Sequence, residues 1–168
     1  LGTGGQAIGT IISGGKIISN YGKSQYGGGI VGFTSDNKLY LGKISAEEAL
    51  NQGIRDAVEF GPFLIVNGKS AFINGNGGYG THPRTAIAQR QDGIVLFLVI
   101  DGRSIKSKGA DMNDLVDILL RYHAYNASNL DGGNSSALVI DNKLVNHPIN
   151  WDNLEKTRPI PNGFVVVE

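Results

Sequence analysis

The sequence predicts an α+β fold: one domain with a mixed β-sheet, several hairpins, two main helices and one strand-helix-strand crossover. Three observations predict it. Short apolar runs alternate with glycine-containing turns along most of the 168 residues, the pattern of strands joined as hairpins. Two stretches carry helical spacing behind an N-terminal capping residue. The apolar run "IVLFLVI", Ile94 to Ile100, is followed first by the better of those helices and then by another strand-like stretch.

Taken in order, "AIGTIISGGKIIS" (Ala7 to Ser19) reads as two strands turning at Gly14-Gly15, followed by a glycine-rich loop, "YGKSQYGGG". "IVGFTSDNKLYLGKI" repeats the hairpin pattern with its turn near Asp36-Asn37. Ser45 with Glu48 forms a capping box that opens a helical stretch over residues 46–60, ended by Gly61-Pro62. Gly53 weakens the middle of that helix and is a place for it to split. "FLIVNGKSAFI" is a further hairpin with Asn67-Gly68 at its turn, and "TAIAQR" (Thr85 to Arg90) is a strand. Ile94 to Ile100 has the length of a buried strand. Asp111 to His123 is the strongest helix: Leu115, Ile118, Leu119 and Tyr122 share a face, and Asp111 caps it. Strands are then expected over Ala124 to Leu130 and around "SALVIDN", "KLVN" and "GFVVVE".

Composition narrows the function classes. Charged residues are 18% and the formal net charge is +0, which argues against nucleic acid as partner, since phosphate-backbone binding draws on a clustered basic excess. No apolar run approaches the roughly 18 residues of a membrane span. The absence of cysteine removes disulfides, thiolate metal sites and a cysteine nucleophile. The glycines, 25 in all, mark tight turns and places where backbone approaches another group closely.

If strands 94–100 and 124–130 run parallel, the helix between them is a crossover and both strands end on the same edge of the sheet. Asp101-Gly102-Arg103 follows the first strand and Asp131-Gly132-Gly133 follows the second. Carboxyl ends of parallel strands are where such sheets bind ligands. Each Asp-Gly alone is equally an ordinary turn; two at equivalent places are harder to dismiss. Arg103 adds a fork-shaped cation suited to phosphate or carboxylate. Arg84, at a loop-to-strand junction, gains meaning only if it faces the same rim. His82, before Pro83, is a candidate acid or base near neutral pH. The three histidines, His82, His123 and His147, lack metal-ligand spacing. Asp131 and Asn134 alone fall short of a calcium loop. No cofactor is expected, with a divalent cation left open.

The ordered set "FGPFLIVNG", "HPRTAIAQR", "DGIVLFLVIDGR", "GADMNDLVDIL" and "NLDGGNSS" resembles the phosphodiester glycosidase family from about Gly9 to the end. The resemblance implies a hydrolase that cleaves sugar-1-phosphodiesters, with a carbohydrate phosphodiester as partner and an extracellular or cell-envelope setting. It implies a site lined by Arg84, Asp101, Arg103, Asp131, Gly132 and Gly133. Within it we expect Asp101 and Asp131 to be catalytic. The substrate's anion would fall to Arg84 and Arg103, assisted by the amides of Gly132 and Gly133 and by Asn134, Ser135 and His82. The family pattern usually includes an upstream segment that has no counterpart in the eight residues before Gly9. The expected domain is therefore 1–168 without that segment. Two other readings stand beside the enzyme: a module that binds phosphorylated glycans without turnover, and a structural domain whose glycines only turn the chain.

Overall fold

The computed structural model describes residues 7–22, 28–71, 75, 79–149 and 157–167. Most of the glycine-rich loop expected after Tyr21, and Phe72-Ile73 of an expected strand, lie outside these residues. The first part of the chain forms β1 (Gly9–Ser13), β2 (Lys16–Tyr21), β3 (Gly29–Thr34), β4 (Leu39–Gly42), α1 (Ala46–Asn51) and β5 (Ile54–Phe60). Its strands make one sheet in the order β2-β1-β5-β3-β4. There follow β6 (Phe63–Val66), β7 (Lys69–Ser70), β8 (Arg84–Arg90), β9 (Val95–Ile100), α2 (Met112–Arg121) and β10 (Ala124–Asn129). These strands make a second sheet in the order β7-β6-β10-β8-β9. A hairpin of β11 (Val139–Ile140) and β12 (Lys143–Leu144) stands apart.

The α+β class, the hairpins, the two helices and the crossover are all present. One detail is corrected: in place of a single mixed sheet there are two sheets, and every pairing between named strands is antiparallel. β9 and β10 each pair antiparallel with β8. They therefore run parallel to one another with β8 between them, and α2 is the crossover that joins them.

Three apolar clusters fix the layers. Ile12, Ile30, Ile54 and Ala57 pack against Ala49 of α1. Val31 and Leu39 of the first sheet meet Ile87 of the second, with Phe33, Val58, Phe63 and Phe164 around them. Ala86, Ala88 and Ala127 pack under Met112, Leu115 and Leu119 of α2. The alanines on β8 and β10 let the helix lie close to the strands. The order of layers is thus α1, first sheet, second sheet, α2. Gln89 links the sheets: its amide nitrogen donates to Asn37 O (2.8 Å) and Gly93 O (2.9 Å), and its oxygen accepts from Leu39 N–H (2.7 Å). The Gln89 side chain is buried with both ends of its amide bonded, which is how a buried amide becomes stabilising rather than costly.

Both predicted caps form. Ser45 accepts from the Glu48 amide while Glu48 accepts from that of Ser45, and Asp111 and Asp114 do the same on α2. The first helix ends much earlier than expected. Gly53 sits at φ +76°, and from Ile54 the chain is the central strand of the first sheet. Helical spacing of Ile54, Ala57 and Val58 was outweighed by what the sheet offers them: Ile54 and Ala57 are buried on its α1 face. Ile94 to Ile100 is not a buried strand. β9 is an edge strand, with Leu96, Leu98 and Ile100 turned to the α2 core and Phe97 still 40% exposed. β8, an interior strand between β10 and β9, is the buried one, and its small side chains gave no such apolar run. Residues 163–167 form no strand; Phe164 instead packs edge-on to Phe33, ring centroids 5.9 Å apart.

Candidate active site

β8 begins where β9 ends, with Arg84 paired to Ile100. β10 ends beside them: Asn129 pairs with Ala86, and the Leu130 amide donates to Thr85 O at 2.9 Å. One edge of the second sheet therefore carries Arg84, Asp101 and Asp131, as the crossover requires. Close backbone packing holds the loops of this edge together. His82 and Ala110 exchange both backbone bonds, 3.1 and 2.9 Å. A side chain at Gly102 would lie 2.8 Å from Pro83 N, one at Gly109 would lie 2.4 Å from His82 O, and one at Gly132 would lie 2.8 Å from Pro83 O. His82-Pro83 thus passes between three glycines, each needed because a Cβ has no room.

The edge opens into a cavity of about 260 Å³ whose lining includes His82, Arg84, Arg103, Asp131, Gly132, Gly133, Asn134 and Arg158. Asp131 is the one carboxylate in that lining among the described residues. Its Oδ2 accepts from Arg158 Nη2. Arg84 is buried, not solvated. Its Nε donates to Ala110 O (3.0 Å) and its Nη2 to Tyr79 O (3.1 Å) and Gly80 O (2.5 Å). The guanidinium so fixes the glycine-rich loop to the start of β8 while its edge lines the cavity. Burial lowers its pKa, opposed by Asp111 and assisted by Arg103. Burial lowers that of Arg103 too; guanidinium nevertheless stays a cation at physiological pH. Arg103 is held at φ +59°, and Nη1 donates to Ile149 O at 3.3 Å. A Cβ on Gly133 would come within 3.1 Å of Arg103 Nη2, so this glycine makes room for the cation. The His82 pKa is pushed down by burial first and then by the charges of Arg103 and Arg84, which favours neutral imidazole beside two cations.

Several expected site residues are not where the sequence reading put them. Asp101 lies on the same edge but does not line the cavity. Its carboxylate faces residues 146–147: Oδ1 accepts from Asn146 Nδ2 (2.9 Å), both oxygens accept from the His147 amide (3.0 Å each), and His147 Nδ1 is 3.5 Å from Oδ2. The reason is the chain after the 131–136 turn, which comes back across the end of β9 and supplies those donors. The Gly133 amide is not open to an anion either, since it donates to Pro83 O at 2.8 Å. Ser135 is buried with its hydroxyl on Arg158 Nε. Asn134 does line the cavity. Among the described residues no group of three His, Asp or Glu is placed to hold a metal ion. No helix among them is long and apolar enough to cross a membrane.

The phosphodiester glycosidase family model matches residues 2–167. The chain belongs to the phosphodiester glycosidase family. It is 30% identical over 155 residues to the SPbeta prophage-derived uncharacterized protein YomE of Bacillus subtilis, covering 85% of this chain and 23% of that protein. It is 26% identical over 161 residues to N-acetylglucosamine-1-phosphodiester alpha-N-acetylglucosaminidase of Bos taurus, covering 86% of this chain and 30% of that one. This family member therefore spans less than a third of either relative's length. Its fold matches the catalytic domain of the zebrafish enzyme of the same name, in a form auto-inhibited by its pro-peptide. The TM-score is 0.72 at 25% identity, over 94% of this chain and 55% of that one.

Sequence reasoning missed Phe60, Tyr79, Asn129 and Arg158 in the lining. Asn129 had a signal, as the last polar residue of a strand before Asp131. It is buried and donates to Gly61 O at 2.9 Å, tying β10 to the β5–β6 connection. Arg158 had only a weak one, an arginine ahead of the stiff Pro159-Ile160-Pro161 stretch.

Proposed function

We propose that the protein hydrolyses the bond between an anomeric carbon and a phosphate oxygen in a sugar-1-phosphodiester, N-acetylglucosamine-1-phosphodiesters being the first class to test. Family membership supports the reaction class. The observation that carries the reading to this site is one carboxylate, Asp131, sharing a cavity with the guanidiniums of Arg84 and Arg103. In this reading the two arginines bind the phosphodiester anion. Breaking the C1–O bond sends the electron pair to the phosphate, a weakly basic leaving group that needs no strong general acid. A single carboxylate then suffices where glycosidases acting on sugar alcohols use two. Asp131 acts on the anomeric side, either attacking C1 or activating the water that does; water supplies the hydroxyl of the released sugar. His82, kept neutral, supplies a polar contact. Asp101 holds the rim without touching substrate. By the same family reasoning the setting is outside the cytoplasm, at the cell envelope or beyond it.

A second reading is favoured by the Arg158–Asp131 ion pair: the carboxylate is neutralised and the cavity only binds phosphorylated glycans. One assay separates the two. The chain is incubated with UDP-N-acetylglucosamine and with a simple alkyl N-acetylglucosamine-1-phosphodiester, and free sugar is measured. Catalytic release that disappears in Asp131→Asn supports the enzyme. Saturable binding without release supports the binding module and overturns the hydrolase.

A further inference from the structure

Arg158 belongs to neither the crossover nor the motifs that frame the cavity, yet its side chain bonds the candidate catalytic acid. Nη2 donates to Asp131 Oδ2, and Nε donates to Ser135 Oγ. The pair is largely shielded, with side chains 30% and 19% exposed. Ser135 is itself buried, at the end of the 3-10 turn Gly133–Ser135, so the far end of the guanidinium rests on a fixed group. Asp131 Oδ1 accepts no hydrogen bond among the described residues, and Asp131 lines the cavity. Among the described residues the carboxylate is therefore held by one oxygen, with the other unbonded.

We infer that Arg158 is a positioning residue for Asp131. Its fork fixes the carboxylate plane through Oδ2 and leaves Oδ1 for the reaction. The inference rests on the reading of Asp131 as the catalytic carboxylate.

Two physical considerations separate this from an ordinary surface ion pair, which is worth little. One guanidinium bonds two groups of a single short loop, and a planar fork bonded twice sets an orientation that a point charge does not. The second consideration is competition. Arg103 lies against Gly133, two residues from Asp131. Arg103 lines the same cavity as Asp131, and an ion pair between the two would tie the carboxylate and an anion-binding group to each other. By bonding Oδ2, Arg158 supplies Asp131 with a charge partner other than the two arginines proposed to bind the substrate. Residues 157–161 hold no regular secondary structure. Downstream, the packing of Phe164 on Phe33 anchors this part of the chain.

The test uses the whole chain and sugar release from UDP-N-acetylglucosamine. Arg158→Ala should lower kcat by about 10–100-fold, the usual cost of removing a group that orients a reacting one. Added guanidinium chloride, at concentrations below unfolding, should restore part of the rate in Arg158→Ala and none in Asp131→Asn. Arg158→Lys keeps the charge but loses the fork, and should fall in kcat with its Tm unchanged; this variant decides the matter if Arg158→Ala fails to fold. Parental kcat in Arg158→Lys, or no rescue of a folded Arg158→Ala, overturns the positioning role while Asp131→Asn stays inactive. Parental turnover in Asp131→Asn, or no turnover in the parent, overturns the reading of the site itself.

Discussion

β9 and β10 end on the same edge of one sheet, each delivering an Asp-Gly pair, yet the two aspartates live in different surroundings. Asp101 accepts from a side-chain amide and a backbone amide and has turned toward the returning chain. Asp131 is bonded at one oxygen by Arg158 and lines the cavity with the other arginines. Equivalent placement by topology fixes where a Cα lies, and the donors that later segments bring up fix what the carboxylate does. The Asp101 end is a clasp for residues 146–147; the Asp131 end is the side of the rim proposed to be reactive.

The sharpest way to break this contrast is Asp131→Asn. Turnover of a sugar-1-phosphodiester should fall by at least ~100-fold, within the range for removing a nucleophile or general base, as initial rates at saturating substrate would show. Next in size is Gly132→Ala, which places a Cβ 2.8 Å from Pro83 O. Overpacking of this kind costs about 1–3 kcal/mol, measurable as a lower midpoint in urea, and activity should drop with it because the Asp131 loop must shift. Asp101→Asn should cost roughly 1 kcal/mol through weakened hydrogen bonds to a charge and leave turnover within about tenfold of the parent. The smallest effect concerns His82. Its folded pKa lies below the ordinary 6.5 through burial and the charges of Arg103 and Arg84. The unfolded chain then takes up the proton first as pH falls. Stability is therefore complete above about pH 6.5 and declines as pH drops toward the folded pKa; His82→Gln should flatten that part of a Tm-against-pH curve.

Much of this was legible because the signals were local. Gly14-Gly15 and Asn67-Gly68 turn their hairpins with positive φ at both positions, and Ser45 and Asp111 cap as their neighbours require. The shared edge of Asp101 and Asp131 followed from a strand, a helix and a strand. What was not legible depended on distant partners. Nothing near Asp101 announces Asn146 and His147. Nothing near Asp131 announces Arg158, which arrives 27 residues later. The burial of Arg84 depends on carbonyls from residues 79, 80 and 110. The apolar run 94–100 looked central because an edge strand with one face on a helix core is as rich in apolar residues as a buried one. β8 looked ordinary because close packing under α2 selects alanine there.

The most direct test measures Asp131→Asn and Asp101→Asn together, each for turnover of UDP-N-acetylglucosamine and for thermal unfolding. The two variants should cross: Asp131→Asn loses turnover by at least ~100-fold and keeps a Tm close to the parent's, whereas Asp101→Asn keeps turnover within about tenfold of the parent's and unfolds at a lower temperature. Equal loss of turnover in both, with Asp101→Asn fully folded, would contradict the assignment of the clasp and the reactive carboxylate.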